Sequence, residues 1–231
     1  MPVTISFGGA GNQFPYLMGL AHGLRTHFLL DWSQVKVHCI SSGCSGAIAL
    51  LLCTPSQIDE LVEKGIYASQ TTPHQPSETY FKTLIKSMLP YNAYQLLDDN
   101  LSIGQTSSSS MRSIFVSGQY RSQTQLVETM YDSCRIPFIT GGSGEVIDGG
   151  FSHQYAIYDE NTIVLTLKRK RQSDIYLKKY TFFTEILFVS GEEMRVLYEQ
   201  GKEAVRVNLE MLRGKVERGM MESNGERKWI G

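Results

Sequence analysis

Apolar residues in the first 53 positions follow two different spacings. Residues 3–7 and 35–40 are short runs rich in β-branched side chains, which is typical of strands. Between them the apolar residues recur at threes and fours, as in a helix, at Leu17, Leu20, Ala21, Leu24 and Phe28. The apolar run 47–53 indicates a second, buried helix. Strand, glycine loop, helix, strand, sharp turn and helix in this order predict an α/β fold with a mostly parallel central sheet.

The remaining chain continues the same alternation. The pattern predicts helices over much of 55–98, a helix over 124–130 and strands at 114–116 and 163–167. Residues 102–113 contain four consecutive serines and offer little to bury, which favours a loop. A long amphipathic helix is predicted over about 191–217. Because no internal repeat or linker separates two cores, we interpret residues 1–231 as one domain.

Composition and charge exclude several classes of protein. The 231 residues carry 22 basic and 23 acidic side chains, giving a net charge of −1. This balance excludes disorder driven by charge and the strongly basic surface with which proteins bind nucleic acid, so no nucleic-acid partner is expected. The longest apolar run is far shorter than the roughly 20 residues that span a bilayer. The first residues do not resemble a secretory signal, so we expect a cytoplasmic protein.

The cysteines and histidines do not suggest a metal site. The four cysteines form no CxxC pair, and no histidine lies at metal-ligand spacing from them. We therefore expect free thiols and no metal or cofactor. His153 is the only histidine close to a candidate motif, and we interpret it as a surface residue.

The stretch 40–47 is the first of three motifs that could carry chemistry. Ser45 stands between Gly43 and Gly46, after a strand and before a helix, which is the setting of a nucleophile elbow. Small neighbours are needed there because the turn is sharp, and the helix N-terminus supplies free N–H groups. The pattern GxSxG is incomplete, since Ala47 takes its last position. A purely structural turn or a phosphate-binding turn is an alternative interpretation.

The second motif is the glycine loop at the end of the first strand, formed by Gly8, Gly9, Ala10 and Gly11. Its backbone N–H groups suit a phosphate or a developing oxyanion. A dinucleotide site is the main alternative, but Phe14 occupies the last glycine position of GxGxxG. No Lys-Ser or Lys-Thr pair follows, which excludes a P-loop.

The third motif is Asp148-Gly149-Gly150, which follows the apolar pair Val146-Ile147. Two glycines leave room for a carboxylate at the end of a strand. A simple β-turn is the alternative, because Asp-Gly is a common turn dipeptide.

In this order the three motifs resemble the patatin-like phospholipase family over roughly residues 3–210. The glycine loop with Tyr16 and Gly19 behind it is most similar to the adipose triglyceride lipase branch. The resemblance implies a three-layer α/β/α sandwich and a Ser–Asp dyad that works without histidine. Phe14 and Ala47 depart from the family pattern.

The resemblance further implies a metal-independent serine acyl hydrolase, a phospholipase A or an acylglycerol lipase, that acts on lipid esters at a membrane or lipid-droplet surface. Ser45 would attack the ester carbonyl and Asp148 would accept its proton. The oxyanion would be bound by backbone N–H groups, those of Gly9, Ala10, Gly11 and Gly46. Two alternatives stay open: a transacylase or thioesterase on the same fold, and a catalytically weak module that binds lipid or a partner.

Overall fold

The computed structural model describes residues 3–71, 78–97, 100–118, 120–142, 144–153, 155–157, 159–167, 173–177 and 189–223. Its first 52 residues follow the predicted alternation of strands and helices. In order, these elements are β1 (Thr4–Phe7), a 3-10 turn (Gly11–Gln13), α1 (Phe14–His27), a second 3-10 turn (Trp32–Gln34), β2 (Lys36–Ile40) and α2 (Gly43–Leu52).

The later elements add four helices, five strands and two C-terminal helices to this unit. They are α3 (Pro55–Thr71), α4 (Glu78–Met88), α5 (Ala93–Leu97), β3 (Leu101–Ser107), β4 (Ser113–Ser117), α6 (Gln123–Ser133), β5 (Val146–Asp148), a 3-10 turn (Gly149–Phe151), β6 (Ile163–Thr166), β7 (Ile175–Tyr176), α7 (Gly191–Val207) and α8 (Leu209–Ser223).

The strands form one mostly parallel sheet in the order β4-β3-β2-β1-β6-β7, with β5 also paired to β3. Strands β3, β2, β1, β6 and β7 run parallel to one another, whereas β4 and β5 are antiparallel to β3. Helices flank the sheet and close its core. The predicted α/β class with a mostly parallel central sheet is therefore confirmed.

Strand β3 contradicts the prediction of a loop over 102–113. Residues 101–106 are buried, and only the turn 108–112 between β3 and β4 is irregular and exposed. The polar side chains of β3 find partners inside the protein: Thr106 Oγ1 donates to the Asp148 carbonyl oxygen and Gln105 Nε2 to that of Thr129. A strand can bury such residues when their hydrogen bonds are satisfied.

Strands β2 and β5 meet end to end along one edge of β3. Residues 101–104 of β3 pair with β2, and residues 105–107 pair with β5. Strand β4 occupies the opposite edge, because it pairs with β3 over residues 102–106. Since β5 is antiparallel to β2, the end of β2 at Ile40 and the end of β5 at Asp148 face each other. This arrangement creates the candidate site.

The C-terminal region contains two helices where one was predicted over 191–217. Asn208 interrupts them with φ −110° and ψ 15°, and its side-chain Nδ2 donates to the Ala204 carbonyl oxygen. Helix α7 begins at a capping box in which Ser190 and Glu193 satisfy each other's backbone N–H groups.

Helix α7 packs on α1 through glycines. A Cβ atom at Gly201 would overlap the carbonyl oxygen of Tyr16, and one at Gly19 would overlap that of Tyr198. The two backbones approach so closely that no side chain fits between them. The crossing therefore depends on glycine at both positions.

Replacing Gly201 by alanine should destabilise the fold. The new methyl group has rigid backbone as its neighbour, so we expect the free energy of unfolding to fall by about 1–3 kcal/mol, as for other overpacked sites. Chemical denaturation measures this change. Gly214→Ala is the matched control, because in α8 the nearest heavy atom is Arg218 Nη1 at 3.4 Å. It should stabilise the helix by about 0.5–1 kcal/mol. Equal effects of both substitutions would contradict the close crossing.

Candidate active site

Ser41 occupies the sharp turn between β2 and α2. Its φ angle is 55°, in the left-handed region that serine rarely adopts. This strained strand-to-helix position is the one that a nucleophile elbow requires. The glycine at position 43 is equally constrained, because an added Cβ would lie 2.5 Å from the Gly8 carbonyl oxygen.

Ser41 and Asp148 form a direct hydrogen bond. The Ser41 hydroxyl donates to Asp148 Oδ2 at 2.5 Å, and the Gly150 N–H donates to Oδ1 at 2.7 Å. Only 8% of Ser41 and 6% of Asp148 are exposed. Gly149 makes the approach possible, since a Cβ there would overlap the Gly104 carbonyl oxygen and lie 2.8 Å from Ile40 Cγ2.

Burial makes Asp148 a stronger base than an ordinary carboxylate. Desolvation raises its pKa from 3.8 to about 6, although the hydrogen bonds from Ser41 and Gly150 act in the opposite direction. Desolvation dominates because the charged form loses its water. A carboxylate of this kind is suited to taking a proton from a hydroxyl near neutral pH.

Ser133, the last residue of α6, holds the turn in place. Its hydroxyl accepts the Ser41 N–H at 2.7 Å and donates to the Gly104 carbonyl oxygen at 2.6 Å. The side chain is fully buried. Helix α6, strand β3 and the elbow are thereby tied together behind the hydroxyl of Ser41.

Two thiols also lie beside the carboxylate, those of Cys44 and Cys134. Burial raises the pKa of both thiols well above the usual range, and the charge of Asp148 adds to this effect. Both therefore stay protonated at neutral pH. Because a thiol reacts as the thiolate, Ser41 is the better nucleophile in this cluster.

The glycine loop after β1 packs against the same turn. The Cβ of a residue at Gly9 would lie 3.2 Å from Ser41 Cβ, so the loop backbone passes directly beside the hydroxyl. The Ala10 N–H donates to Ser42 Oγ at 3.0 Å, which fastens the loop to the start of α2. Loop and helix N-terminus thus border the Ser41 hydroxyl together.

The predicted pairing of Ser45 with Asp148 is wrong in this structure. Ser45 lies within α2, one helical turn beyond the elbow, and its hydroxyl donates to the Ser42 carbonyl oxygen at 2.7 Å. Asp148 instead binds Ser41. The strand ends at Ile40, so the turn residue is the first serine of the motif.

The four expected oxyanion donors lie on two segments, the stretch after β1 and helix α2. Gly46 is a packing residue, because a Cβ there would lie 2.8 Å from the Phe7 ring and 3.0 Å from the Leu17 carbonyl oxygen. The N–H of Ala10 is already used by Ser42. Gly9 and Gly11 remain candidates at the predicted place. Gly8, Gly43, Gly149 and Gly150 all lie around the Ser41–Asp148 pair, as expected for motif residues.

His153 takes no part in this pair. It is exposed and its Nδ1 hydrogen-bonds the Ser113 hydroxyl. Within the described ranges, no group of three or more His, Cys, Asp or Glu side chains could hold a metal ion. No helix in the described part of the chain is long and apolar enough to cross a membrane.

Comparisons with known proteins find a likeness in fold but none in sequence. No protein-family model matches the sequence, and no curated protein matches it. The fold is similar to that of VipD from Legionella pneumophila, with 10% sequence identity and a TM-score of 0.47. The match covers 90% of this chain and 66% of the VipD chain, so this chain spans just under two thirds of that protein.

The buried carboxyl should make stability depend on pH in an unusual direction. Between pH 3.8 and about 6 the folded state keeps a proton on Asp148 that the unfolded state has released. The free energy of unfolding should therefore fall as pH rises through this window, by up to about 3 kcal/mol from this group. Urea denaturation at pH 4 to 7 should show this fall in the wild type and lose it in Asp148→Asn. Parallel profiles for the two proteins would contradict a raised pKa.

Proposed function

We propose that this protein is a serine ester hydrolase acting on lipid acyl esters, with Ser41 as nucleophile and Asp148 as general base. The observation that carries the proposal is the hydrogen bond between the Ser41 hydroxyl and Asp148 at a strained strand-to-helix turn. A nucleophile and a base within hydrogen-bond reach are the minimum that acyl transfer requires.

In the first half-reaction, Ser41 Oγ attacks the ester carbonyl carbon while its proton passes to Asp148 Oδ2. The tetrahedral intermediate then collapses, and the alcohol leaves with the proton that Asp148 held. The acyl group stays on Ser41 as an ester. The second half-reaction repeats these steps with water, which Asp148 deprotonates, and releases the carboxylic acid.

Backbone donors would stabilise the oxyanion. Helix α2 begins directly after Ser41, so the N–H groups of Ser42 and Gly43 lie at its positive end. The N–H groups of Gly9 and Gly11 lie on the loop that passes beside Ser41. Among the described residues these two loop N–H groups have no hydrogen-bond partner. Each such donor contributes about 3–4 kcal/mol to acyl transfer in well-studied cases.

The lipid part of the proposal is supported by the resemblance to patatin-like phospholipases. With Ser41 as nucleophile the elbow is Cys39-Ile40-Ser41-Ser42-Gly43. The last position of GxSxG is then Gly43, whereas it is Ala47 when Ser45 is the serine. Gly43 is sterically required, whereas Cys39 replaces the first glycine and packs with its Sγ 2.6 Å from that of Cys44. Each register keeps one of the two glycines of GxSxG, and the strained turn and the contact with Asp148 favour Ser41.

A second candidate function is a catalytically weak module that binds lipid. One observation favours it: the Ala10 N–H, a predicted oxyanion donor, is already bonded to Ser42 Oγ. The enzyme and the module differ in whether Ser41 reacts.

Ser41 should be the residue that a fluorophosphonate modifies. Wild-type protein should be labelled stoichiometrically, and tandem mass spectrometry should locate the adduct on Ser41. Hydrolysis of a short p-nitrophenyl ester should fall by at least about a thousandfold in Ser41→Ala and in Asp148→Asn.

Ser45→Ala is the matched control, because Ser45 is the next buried serine of the same motif. Its loss removes one hydrogen bond within a helix and should change the rate by less than about tenfold. An adduct on Ser45, or inactivity of Ser45→Ala with full activity of Ser41→Ala, would overturn the assignment. Absence of both labelling and hydrolysis in the wild type would favour the binding module.

The rate should follow the ionisation of Asp148. Only the carboxylate form accepts a proton, so kcat/KM for the soluble ester should rise with pH through an apparent pKa of about 6 and level off above it. Stopped-flow or steady-state assays between pH 4.5 and 8.5 measure this profile. A rate that is flat across this range would contradict Asp148 as the base.

A further inference from the structure

The turn 136–141 presents an aromatic side chain fully to solvent. Phe138 is 98% exposed, and its φ angle of 66° lies in the left-handed region. A bulky residue with this backbone geometry costs free energy, and the exposed ring gains no compensating burial against the described residues.

Hydrogen bonds fix the shape of this turn. The Phe138 N–H donates to the Gly141 carbonyl oxygen, and the N–H groups of Ile139 and Thr140 donate to that of Ile136. The Thr140 side chain accepts the Ile136 N–H at 2.7 Å and donates to the Cys134 carbonyl oxygen at 2.8 Å. The turn is therefore a fixed support for one protruding ring.

The turn stands beside the candidate active site. The chain leaves α6 at Ser133, which binds the backbone of Ser41, and the Asp148 N–H donates to the Arg135 carbonyl oxygen at 2.8 Å. The next three residues reach Phe138. Both ends of the connection between α6 and β5 lie near the carboxyl ends of the parallel strands.

The tip has no charge of its own. Residues 136–144 contain no acidic or basic side chain, and Arg135 at the base of the turn is paired with Asp132 at 2.6 Å. A protruding, uncharged tip with one aromatic ring is suited to insertion into a lipid layer, because a fluid apolar phase does not have to offer a matching pocket.

We infer that the Phe138 turn inserts into the surface of a lipid layer and so brings Ser41 and Asp148 to their substrate. This inference rests on the proposed function, because it assumes that the ester lies in a lipid surface. The turn would supply binding and orientation, while Ser41 and Asp148 supply the chemistry.

Phe138→Asn separates insertion from folding and from catalysis. Asparagine tolerates a positive φ better than phenylalanine, so the turn should be kept while the apolar ring is lost. Flotation with phosphatidylcholine vesicles, in a Ser41→Ala background that cannot hydrolyse them, should show at least about tenfold weaker binding. With Ser41 intact, hydrolysis of the vesicle lipid should fall similarly, and hydrolysis of the soluble p-nitrophenyl ester should stay within about twofold.

Leu29→Ser is the matched control for hydrophobicity alone. Leu29 is also fully exposed, but it follows α1, on the side of the sheet where the parallel strands begin. Its replacement should leave vesicle binding unchanged. Phe138→Trp should add, to the emission of the native Trp32 and Trp229, a component that shifts to the blue with vesicles and is quenched by brominated lipid.

Unchanged vesicle binding in Phe138→Asn, or equal losses in Phe138→Asn and Leu29→Ser, would overturn the inference. In the first case the ring would fit a protein pocket instead. These outcomes are separate from failure of the proposed function, which would appear as absence of soluble-ester hydrolysis while Ser41→Ala still binds vesicles through Phe138.

Discussion

The candidate site depends on the way two strands share one edge of β3. Strand β2 stops at Ile40 opposite Gly104, and β5 arrives from the other direction to stop at Asp148 opposite Gln105. No side chain fits at Gly104 or Gly149, so the ends of β2 and β5 come close enough for Ser41 to form a hydrogen bond with Asp148. Register along β3, rather than any loop, therefore sets the distance between Ser41 and Asp148.

The same arrangement sets the chemistry of the carboxyl. Asp148 ends a buried strand, and among the described residues its carboxylate receives hydrogen bonds from Ser41 and Gly150. The lost hydration is not fully replaced, and the pKa rises to about 6. A more exposed aspartate would be a weaker base, while one buried without these donors would stay protonated at neutral pH. The geometry that joins the pair thus also gives the base a useful strength without histidine.

Much of the fold was predictable from the sequence, because β1, α1, β2 and α2 follow regular apolar spacing. Asp148 and the glycine loop were found from a different signal, the glycines in their motifs, and the structure places both beside Ser41. The motif pattern pointed to Ser45 as the partner of Asp148, whereas the structure places Ser41 against this carboxylate. The predicted end of β2 at Ile40 already indicated Ser41, since a turn residue must directly follow its strand. Strand β3 was missed because its polar residues resemble a loop, and the buried Gln105 and Thr106 are satisfied by partners distant in sequence. Ser133 carried no local signal, because its role depends on contacts 29 and 92 residues away.

Three residues other than glycine have a positive φ in the described chain: Ser41, Met111 and Phe138. The strain at Ser41 is offset within the protein by hydrogen bonds to Ser133 and Asp148. Met111 and Phe138 are 51% and 98% exposed, so burial of their side chains adds little to the stability of the isolated protein. Glycine would occupy either position without strain. Both turns lie near the end of the sheet that holds the site. If these two apolar side chains bind a surface outside the protein, that binding offsets the free-energy cost of the strained backbone.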